Sequence, residues 1–484
     1  MNSIIEMLAW RAKERGDKIC IIDSEGKTTY SELFQMALKV AGKLRESGIG
    51  KNDCVVLQVE QKACFMAKVL AIHLLGGRSV PVEKNCPEER AVELIQTVGA
   101  KVYFFSQKLD VEAYWIYNGT SFEEQRTDYD FSFPEPEMIA DIIFTTGTTG
   151  KSKGVMISHR AIMATVENLQ NLVGIREEEI ALVPTPLNHA HALRRTYVTI
   201  LNGHTTVLMD GVANLKQFFL NLQEEHVTGM YLMSAMLSYI LKVSGDKLGE
   251  YRDLIHFVEL GSSPLGEEER KQLMSLLPDS ELIFDYGATE SGCTCGYDMN
   301  EHGNIPFCVG KPNINANFSF ADEEGNVIQA TCDNPGLIVT QGPMNMSGYF
   351  DEPDLTGKVL KEGKIFSNDW GYMDENQFVY FLGRKGDVIN MGGIKISALE
   401  IEKAALLWDE VTECACVPKP DANFGEIPVL FVAVKDKHTF DKGNLETFLK
   451  EKLELSRVPK EIRILDGLPK TFNGKIIKKG LIEK

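Results

Sequence analysis

The stretch Ile142-Ile143-Phe144-Thr145-Thr146-Gly147-Thr148-Thr149-Gly150-Lys151-Ser152-Lys153-Gly154 decides how the rest of this chain is read. Its last ten residues hold four Thr, one Ser, two Lys and three Gly, directly behind an apolar run. Glycine lets backbone N–H groups turn toward a ligand, hydroxyls add donors, and lysines add positive charge, which is what a polyphosphate requires of a loop. The standard phosphate-loop spacing, Gly, four residues, then Gly-Lys-Ser/Thr, is only half present. Gly150-Lys151-Ser152 fits, but Thr145 stands where the first Gly belongs. The sequel differs too: Gly154-Val155-Met156-Ile157-Ser158 reads as a strand, whereas the standard loop opens a helix. The composition predicts a hydroxyl-rich connection between two strands that holds nucleotide phosphates, with a flexible Gly/Thr surface loop as the alternative.

Outward from this loop, strands and helices alternate. Ser31–Ser47 sets Leu33, Met36, Ala37, Val40, Ala41 and Leu44 on one helical face. Cys54–Val59 reads as a buried strand, Gln61–Leu75 as a helix, and Arg78–Val82 as a strand. Pro87–Val98 reads as a helix with Pro in its first turn, followed by a strand at Val102–Phe105. A second series runs from Arg160 to Phe284, with strands near Thr205–Met209, Gly229–Leu232, Ile255–Leu260 and Glu281–Phe284. Such alternation implies mostly parallel sheets covered on both faces. After Phe307, Gly-punctuated strands predict a smaller β-rich unit up to about Gly383. Beyond Gly386 follow a helix at Ser397–Trp408, strands at Val411–Pro418 and Val429–Lys435, and a helix at Gly443–Leu453. The expected fold is α/β: a large N-terminal domain, residues 1–385, of two doubly wound αβα sheets plus a β-rich subdomain. A small, mobile α+β C-terminal domain, residues 386–484, follows the linker Gly383–Asp387.

Composition narrows the partners. With 484 residues, 44% hydrophobic and 25% charged, the chain can bury a large core. A net charge of −18 argues against nucleic acid or an anionic membrane surface as the main partner. The stretch Lys450–Lys484 runs the other way, with ten Lys/Arg against five Asp/Glu, which suits a polyphosphate or a solvated tail. The ten Cys form no disulfide-like framework; Cys293/Cys295 and Cys414/Cys416 are C-x-C pairs, read as free core thiols of a reducing compartment. No window approaches ~18 uninterrupted apolar residues, so no membrane span is expected. Met1–Arg11 carries Glu6 in a short apolar stretch without a basic leader, and a cytoplasmic location is expected.

Further motifs stand in order along the chain. They are Asp285-Tyr286-Gly287-Ala288-Thr289-Glu290, Pro335-Gly336-Leu337-Ile338-Val339 through Gly348-Tyr349, Ser367-Asn368-Asp369, Gly383-Arg384-Lys385-Gly386-Asp387, Met391-Gly392-Gly393, and Pro469-Lys470-Thr471-Phe472-Asn473-Gly474-Lys475. Together with the loop at 145–154 they resemble the motif series of the adenylate-forming superfamily: acyl-CoA synthetases, peptide-synthetase adenylation domains and luciferases. The resemblance spans nearly the whole chain and is strongest to AMP-forming acyl-CoA synthetases. Departures are Ser152 in place of the loop's usual Pro, Leu337 in place of Glu, and Ser367-Asn368 in place of Thr-Gly. Gly386 stands at the pivot position, where Asp or Lys is usual.

The resemblance implies a site. Activating a carboxylate with ATP sets one anion against another, so cations and donors must neutralise the α-phosphate and the departing pyrophosphate. Lys475 is the implied bridging cation, carried by a tail in which Asn473-Gly474 is a strong tight-turn pair. Thr145, Thr146, Gly147, Thr148, Thr149 and Lys153 would hold the phosphates, and Thr289 would donate to the α-phosphate. Glu290 is the implied Mg2+ ligand. Asp285, Tyr286 and Gly287 would take one side of the adenine and Gly261, Ser262 and Ser263 the other, with Asp369 and Arg384 on the ribose. In Pro186-Leu187-Asn188-His189, His189 would flank the acyl pocket and the thiol route, with His191 as its rival. A metal site on this His pair lacks a third ligand at zinc-like spacing. Arg194 and Arg195 either pair within the protein or face a second anion on the acyl group.

The implied reaction makes acyl-AMP and pyrophosphate from an acid and ATP, then passes the acyl group to CoA or to a carrier protein's phosphopantetheine. Gly392-Gly393 would open the thiol tunnel after the small domain swings about Gly386. An amino-acid substrate is disfavoured, because Gly229–Leu237 holds no acidic residue to anchor an amine. A non-catalytic nucleotide-binding scaffold is the alternative from another class.

Overall fold

Runs such as Cys54-Val55-Val56-Leu57 and Val102-Tyr103-Phe104-Phe105 are apolar at every position and need cover on both faces of a sheet. In the computed structural model they lie in a sheet's interior, wholly buried. The structure describes residues 1–120, 122, 127, 130–146, 152–262, 265–303, 305–470 and 476–482, without the side chains of Thr146 and Lys479. Two compact units divide the chain: Met1–Asn317 with Thr340–Ile365, and Phe318–Val339 with Phe366–Lys484.

The first unit holds two sheets. One runs, in spatial order, Gly348–Tyr349, Ser152–Ser158, Ile139–Thr146, Arg78–Val82, Cys54–Gln58, Val102–Phe105, Tyr114–Tyr117. Its strands from Ile139–Thr146 to Tyr114–Tyr117 are parallel, and the first two pair antiparallel. The second sheet has a parallel centre: Glu281–Ala288, Phe257–Gly261, Gly229–Met233, Ile180–Val183, Thr205–Leu208 and Ile19–Asp23. Gly292–Asp298 and Gly26–Thr29 flank it antiparallel.

Helices fill the space between the sheets. Ala63–Leu74 is buried on every side except at Cys64, as an all-round apolar helix must be. One buried cluster joins Val55 and Ile143 of the first sheet, Leu70, Leu193 and Tyr197 of the helices, and Val183 and Tyr231 of the second.

The second unit also has two sheets. Strands Val327–Ile328, Asn317–Ala321, Gly336–Gln341, Lys364–Met373 and Val379–Arg384 lie side by side in that order. In the other sheet Ile394–Ser397, Val388–Met391, Gly425–Val434 and Val411–Asp421 follow one another, and Glu461–Leu465 pairs parallel with Gly425–Val434. Helices Ala398–Leu406 and Lys442–Lys452 close over this sheet around Ile389, Ile396, Ile401, Leu430 and Leu445. The expected boundary at residue 386 falls inside this unit, at the start of the second sheet.

Among the described residues no helix is long and apolar enough to cross a membrane. The ten cysteines form no disulfide with one another, and Cys293, Cys295, Cys414 and Cys416 are buried. Burial pushes the Cys20 and Cys414 thiols up to about 12, so both are inert packing groups.

Candidate active site

Strands Ile139–Thr146 and Ser152–Ser158 run antiparallel, with Thr145 opposite Lys153 and Thr146 opposite Ser152. The loop between them therefore joins two strands, as its composition requires. Thr145 is half-buried, and its carbonyl accepts from Ser152 Oγ at 3.2 Å. Gly147, Thr148 and Thr149 lie outside the described residues. Lys153 Nζ stands 5.7 Å from the centre of the Tyr349 ring, and Tyr349 OH donates to Glu290 Oε1 at 2.8 Å. Burial, and then the neighbouring Glu290 carboxylate, pushes the Tyr349 hydroxyl well up, so it remains a donor.

The backbone around Glu290 is held as firmly as its carboxylate. Its carbonyl accepts from Met346 N at 2.7 Å. The two preceding carbonyls, of Ala288 and Thr289, accept from the Arg194 guanidinium at 3.1 and 2.7 Å. Arg194 is buried, and burial followed by repulsion from Arg195 brings it down to about 10.

Arg194 belongs to helix Ala190–Asn202, which ties the two sheets of the first unit together. His189 is its N-cap, without a side-chain capping bond, and burial keeps this imidazole below its usual range. One residue past Arg194, Arg195 pairs with both oxygens of Glu259 and with Asp285 Oδ2 at 3.0 Å. Tyr197 donates to Asp141 Oδ2 at 3.0 Å, and Asp141 Oδ1 is bonded to His73 Nε2 at 2.8 Å and Ser79 Oγ at 2.6 Å. Asp141 lies on the strand that feeds the Thr-rich loop, while Glu259 and Asp285 lie on the second sheet. Both arginines are thus committed to protein groups.

Gly261 ends strand Phe257–Gly261 at a point of close approach. A Cβ there would lie 2.2 Å from Asp285 Oδ1 and 3.2 Å from His191 Nε2, so only glycine fits. The next residue, Ser262, has φ +78, the kind of strained backbone that clusters at ligand sites. Ser263 lies outside the described residues. Asp285 is buried, and Tyr286 is half-buried with its carbonyl accepting Thr294 Oγ1 at 3.0 Å. A register shift separates Tyr286 from Gly287, and Thr289 and Glu290 follow the strand's end.

His191, Glu259 and Asp285 bring their ligand atoms within 4.8 Å of one another, so the fold gathers two carboxylates around His191, and His189 is not part of this group. The cation among them is Arg195. Burial opposes the Arg195 charge, but Glu259 and then Asp285 outweigh it. Burial raises Glu259; against its own burial, Arg195 first of all holds Asp285 below the usual carboxylate range. Glu259 was missed in the sequence, although a carboxylate inside Phe257-Val258-Glu259-Leu260 was a signal.

In the second unit, Asp369 and Arg384 face each other across paired strands, with Arg384 Nε 3.6 Å from Asp369 Oδ1. Gly392 and Gly393 form the two-residue turn between strands Val388–Met391 and Ile394–Ser397. Their φ values of +60 and +93 are the positive pair that such a hairpin turn needs and that glycine adopts without strain. Lys475 lies outside the described residues. On either side of it the tail is anchored: Lys470 bridges Ile476 antiparallel, and Ile477 N donates to Pro469 O at 2.7 Å. Lys478 Nζ pairs with Asp387 at 3.1 Å and Glu402 at 2.9 Å, joining the tail to the Gly383–Asp387 segment.

The family model described as AMP-binding enzyme matches residues 8–350, and that of the AMP-binding enzyme C-terminal domain matches residues 400–475. The chain belongs to the AMP-binding enzyme family. Relatives in this family include a 2-succinylbenzoate–CoA ligase of Listeria innocua, 28% identical over 480 residues and 95% of each chain. A 4-coumarate–CoA ligase 2 of Nicotiana tabacum is 24% identical over 97% of this chain and 92% of its own. Two solved structures share the fold of this AMP-binding enzyme at 22% identity. ATP-bound MatB from Rhodopseudomonas palustris has a TM-score of 0.86, covering 100% of this chain and 99% of that one. The o-succinylbenzoate CoA synthetase (MenE) of Bacillus subtilis, in complex with the acyl-adenylate intermediate OSB-AMP, has a TM-score of 0.83 over 98% and 97%. The α/β architecture with a smaller C-terminal segment is the one expected from the sequence.

Proposed function

We infer that the protein is an AMP-forming acid–thiol ligase. A carboxylate oxygen attacks the α-phosphorus of ATP, the bond to the bridging oxygen breaks, and pyrophosphate leaves with acyl-AMP formed. The thiol of CoA, losing its proton, then attacks the acyl carbon and expels AMP, leaving the thioester. The observation that carries this reading is the meeting of Lys153 and Glu290 on Tyr349. It sets a phosphate-loop cation beside a carboxylate whose backbone is fixed on three sides.

Each residue takes a role in this reading. Tyr349 takes one lone pair of Glu290 Oε1, and the carboxylate's other lone pairs can serve a hard cation. Bound Mg2+ would supply charge neutralisation of the phosphates. Thr145, Thr146 with Gly147, Thr148 and Thr149, and Lys153 hold the nucleotide phosphates, and Thr289 donates to the α-phosphate. Asp285, Tyr286 and Gly287 line one side of the adenine region and Gly261, Ser262 and Ser263 the other. Asp369 accepts from the ribose hydroxyls with Arg384 beside it. His189, kept neutral by burial, borders the acyl pocket and thiol route. Lys475 bridges carboxylate and α-phosphate in the first step only. The part from residue 386 onward then turns about Gly386 and brings Gly392-Gly393 to the thiol. Gly386 has φ +100 and open space around the position of a Cβ, so the backbone there can change course at little steric cost.

CoA is the proposed acceptor rather than a carrier protein, in line with the relatives named as CoA ligases. The acidic balance of the chain favours small-molecule partners over nucleic acid, and a cytoplasmic site of action fits the free thiols. The test is pyrophosphate release across fatty, aromatic, dicarboxylic and amino acids, with and without CoA. Release that requires an acid, with thioester formed only when CoA is present, is the expected result. Release independent of every acid would make the protein a plain ATPase.

A further inference from the structure

The hairpin that carries Thr145 and Lys153 joins the parallel strands of its sheet at Asp141. Ser79 of strand Arg78–Val82 stands opposite Asp141, and from Ile142 to Thr146 the register is with Ser152–Ser158. At this junction the Asp141 carboxylate, 1% exposed, collects side chains from three elements. Ser79 Oγ donates to Oδ1 at 2.6 Å, and His73 Nε2 of helix Ala63–Leu74 is bonded to the same oxygen at 2.8 Å. Tyr197 OH of helix Ala190–Asn202, itself wholly buried, donates to Oδ2 at 3.0 Å. Burial opposes the charge of Asp141, but His73 first, then Ser79 and Tyr197, outweigh it and hold the carboxyl below its usual range. Such a buried carboxylate is weak support for stability, and its use is to fix one geometry.

Helix Ala190–Asn202 also holds the other half of the site. Three residues before Tyr197, Arg194 donates to the carbonyls of Ala288 and Thr289, just ahead of Glu290. One helix thus grips, within a single turn, the strand that leads to Thr145 and the backbone that leads to Glu290. A misplacement of about 1 Å between such groups can cost about 100-fold in rate, even when its cause lies away from the chemistry. We propose that Tyr197 and Asp141 are positioning residues that set the phosphate-binding hairpin against Thr289 and Glu290 for attack on the α-phosphorus.

This assignment rests on the ligase reading and deepens it. Both residues act through the elements they join, so their effect belongs to the step in which the hairpin is needed. ATP carries two phosphates beyond the α-phosphate, and acyl-AMP carries neither. A displaced hairpin therefore slows the first half-reaction and spares the second, whereas a general loss of structure slows both.

The experiment uses Tyr197→Phe, which keeps the buried ring and removes the hydroxyl, and Asp141→Asn, which keeps the shape and removes the charge. Acyl-AMP formation from acid and ATP is measured separately from thioester formation with supplied acyl-AMP and CoA. In each variant the first step should fall about 10- to 100-fold. The second should stay within about threefold of the unaltered protein. In the double variant the first step should fall by less than the product of the two single losses, because both changes open the same joint. Equal losses in both steps, or a first step left within about threefold, overturn the assignment and leave the ligase reading standing. If Tyr197→Phe yields no folded protein, Asp141→Asn carries the same expectation and the same refutation. Pyrophosphate release by the unaltered protein without any acid removes both readings.

Discussion

Tyr349 touches two residues proposed for the nucleotide site, Glu290 and Lys153. Its hydroxyl fixes the Glu290 carboxylate at 2.8 Å, and its ring lies beneath the Lys153 ammonium. A hydrogen bond to a charged group contributes about 1.5–3 kcal/mol, so removing this hydroxyl should loosen the carboxylate without emptying the site. In Tyr349→Phe the Mg2+ concentration for half-maximal pyrophosphate release should rise about tenfold, while KM for the acid stays within about twofold. An unchanged Mg2+ requirement would deny Glu290 its role or Tyr349 its hold on it. Tyr349 was visible in the sequence only as half of Gly348-Tyr349. That its partner is Glu290, 59 residues away, follows from strand Gly348–Tyr349 pairing with Ser152–Ser158, and no local pattern encodes that pairing.

At the scale of elements, the helices between the sheets bury histidines as neutral groups. His159 opens helix His159–Val173, and His204 follows helix Ala190–Asn202; burial brings each down to about 3. In the unfolded chain they titrate near about 6.5. Below that pH the unfolded state binds more protons than the native one, so stability falls as pH falls, and goes on falling down to about 3. Each histidine contributes a slope of about 1.4 kcal/mol per pH unit in that window. Urea unfolding midpoints should therefore be level above about pH 7 and drop steadily from pH 6 to 4. A flat profile across that interval would mean that these side chains are protonated or solvated in the native state.

Element type was legible where burial on both faces left an unbroken apolar run, as at Val102–Phe105, and Arg78–Val82, apolar in its last three residues, is likewise a strand at the expected bounds. The bounds moved where backbone pairing outruns the side-chain pattern. Glu281–Ala288 continues four residues past Phe284 because Gly292–Asp298 pairs with it, although Asp285, Tyr286 and Gly287 show no strand pattern. Val411–Asp421 and Gly425–Val434 extend through polar residues for the same reason, one hairpin carrying both. Pro87 proved to be the cap before helix Glu88–Thr97 rather than part of its first turn.

Taken whole, the chain carries its chemistry on residues far apart in sequence. The motifs were legible because residue types suited to phosphate, ribose and metal stand at fixed spacing in the sequence. The support beneath them was not, because Asp141, Arg195 and Glu259 act through tertiary ion pairs with no spacing rule. The tail shows the same division. Lys475 is named by its motif, whereas the tie of Lys478 to Asp387 and Glu402 emerges only when the last strands are packed. That tie joins Lys478 to the Gly383–Asp387 segment and to helix Ala398–Leu406. The central claim is that Lys475 serves one half-reaction only, and Lys475→Ala tests it most directly. Formation of acyl-AMP from acid and ATP should fall about 100- to 1000-fold. Thioester formation from supplied acyl-AMP and CoA should stay within about threefold of the unaltered protein. Equal loss in both half-reactions would contradict the account.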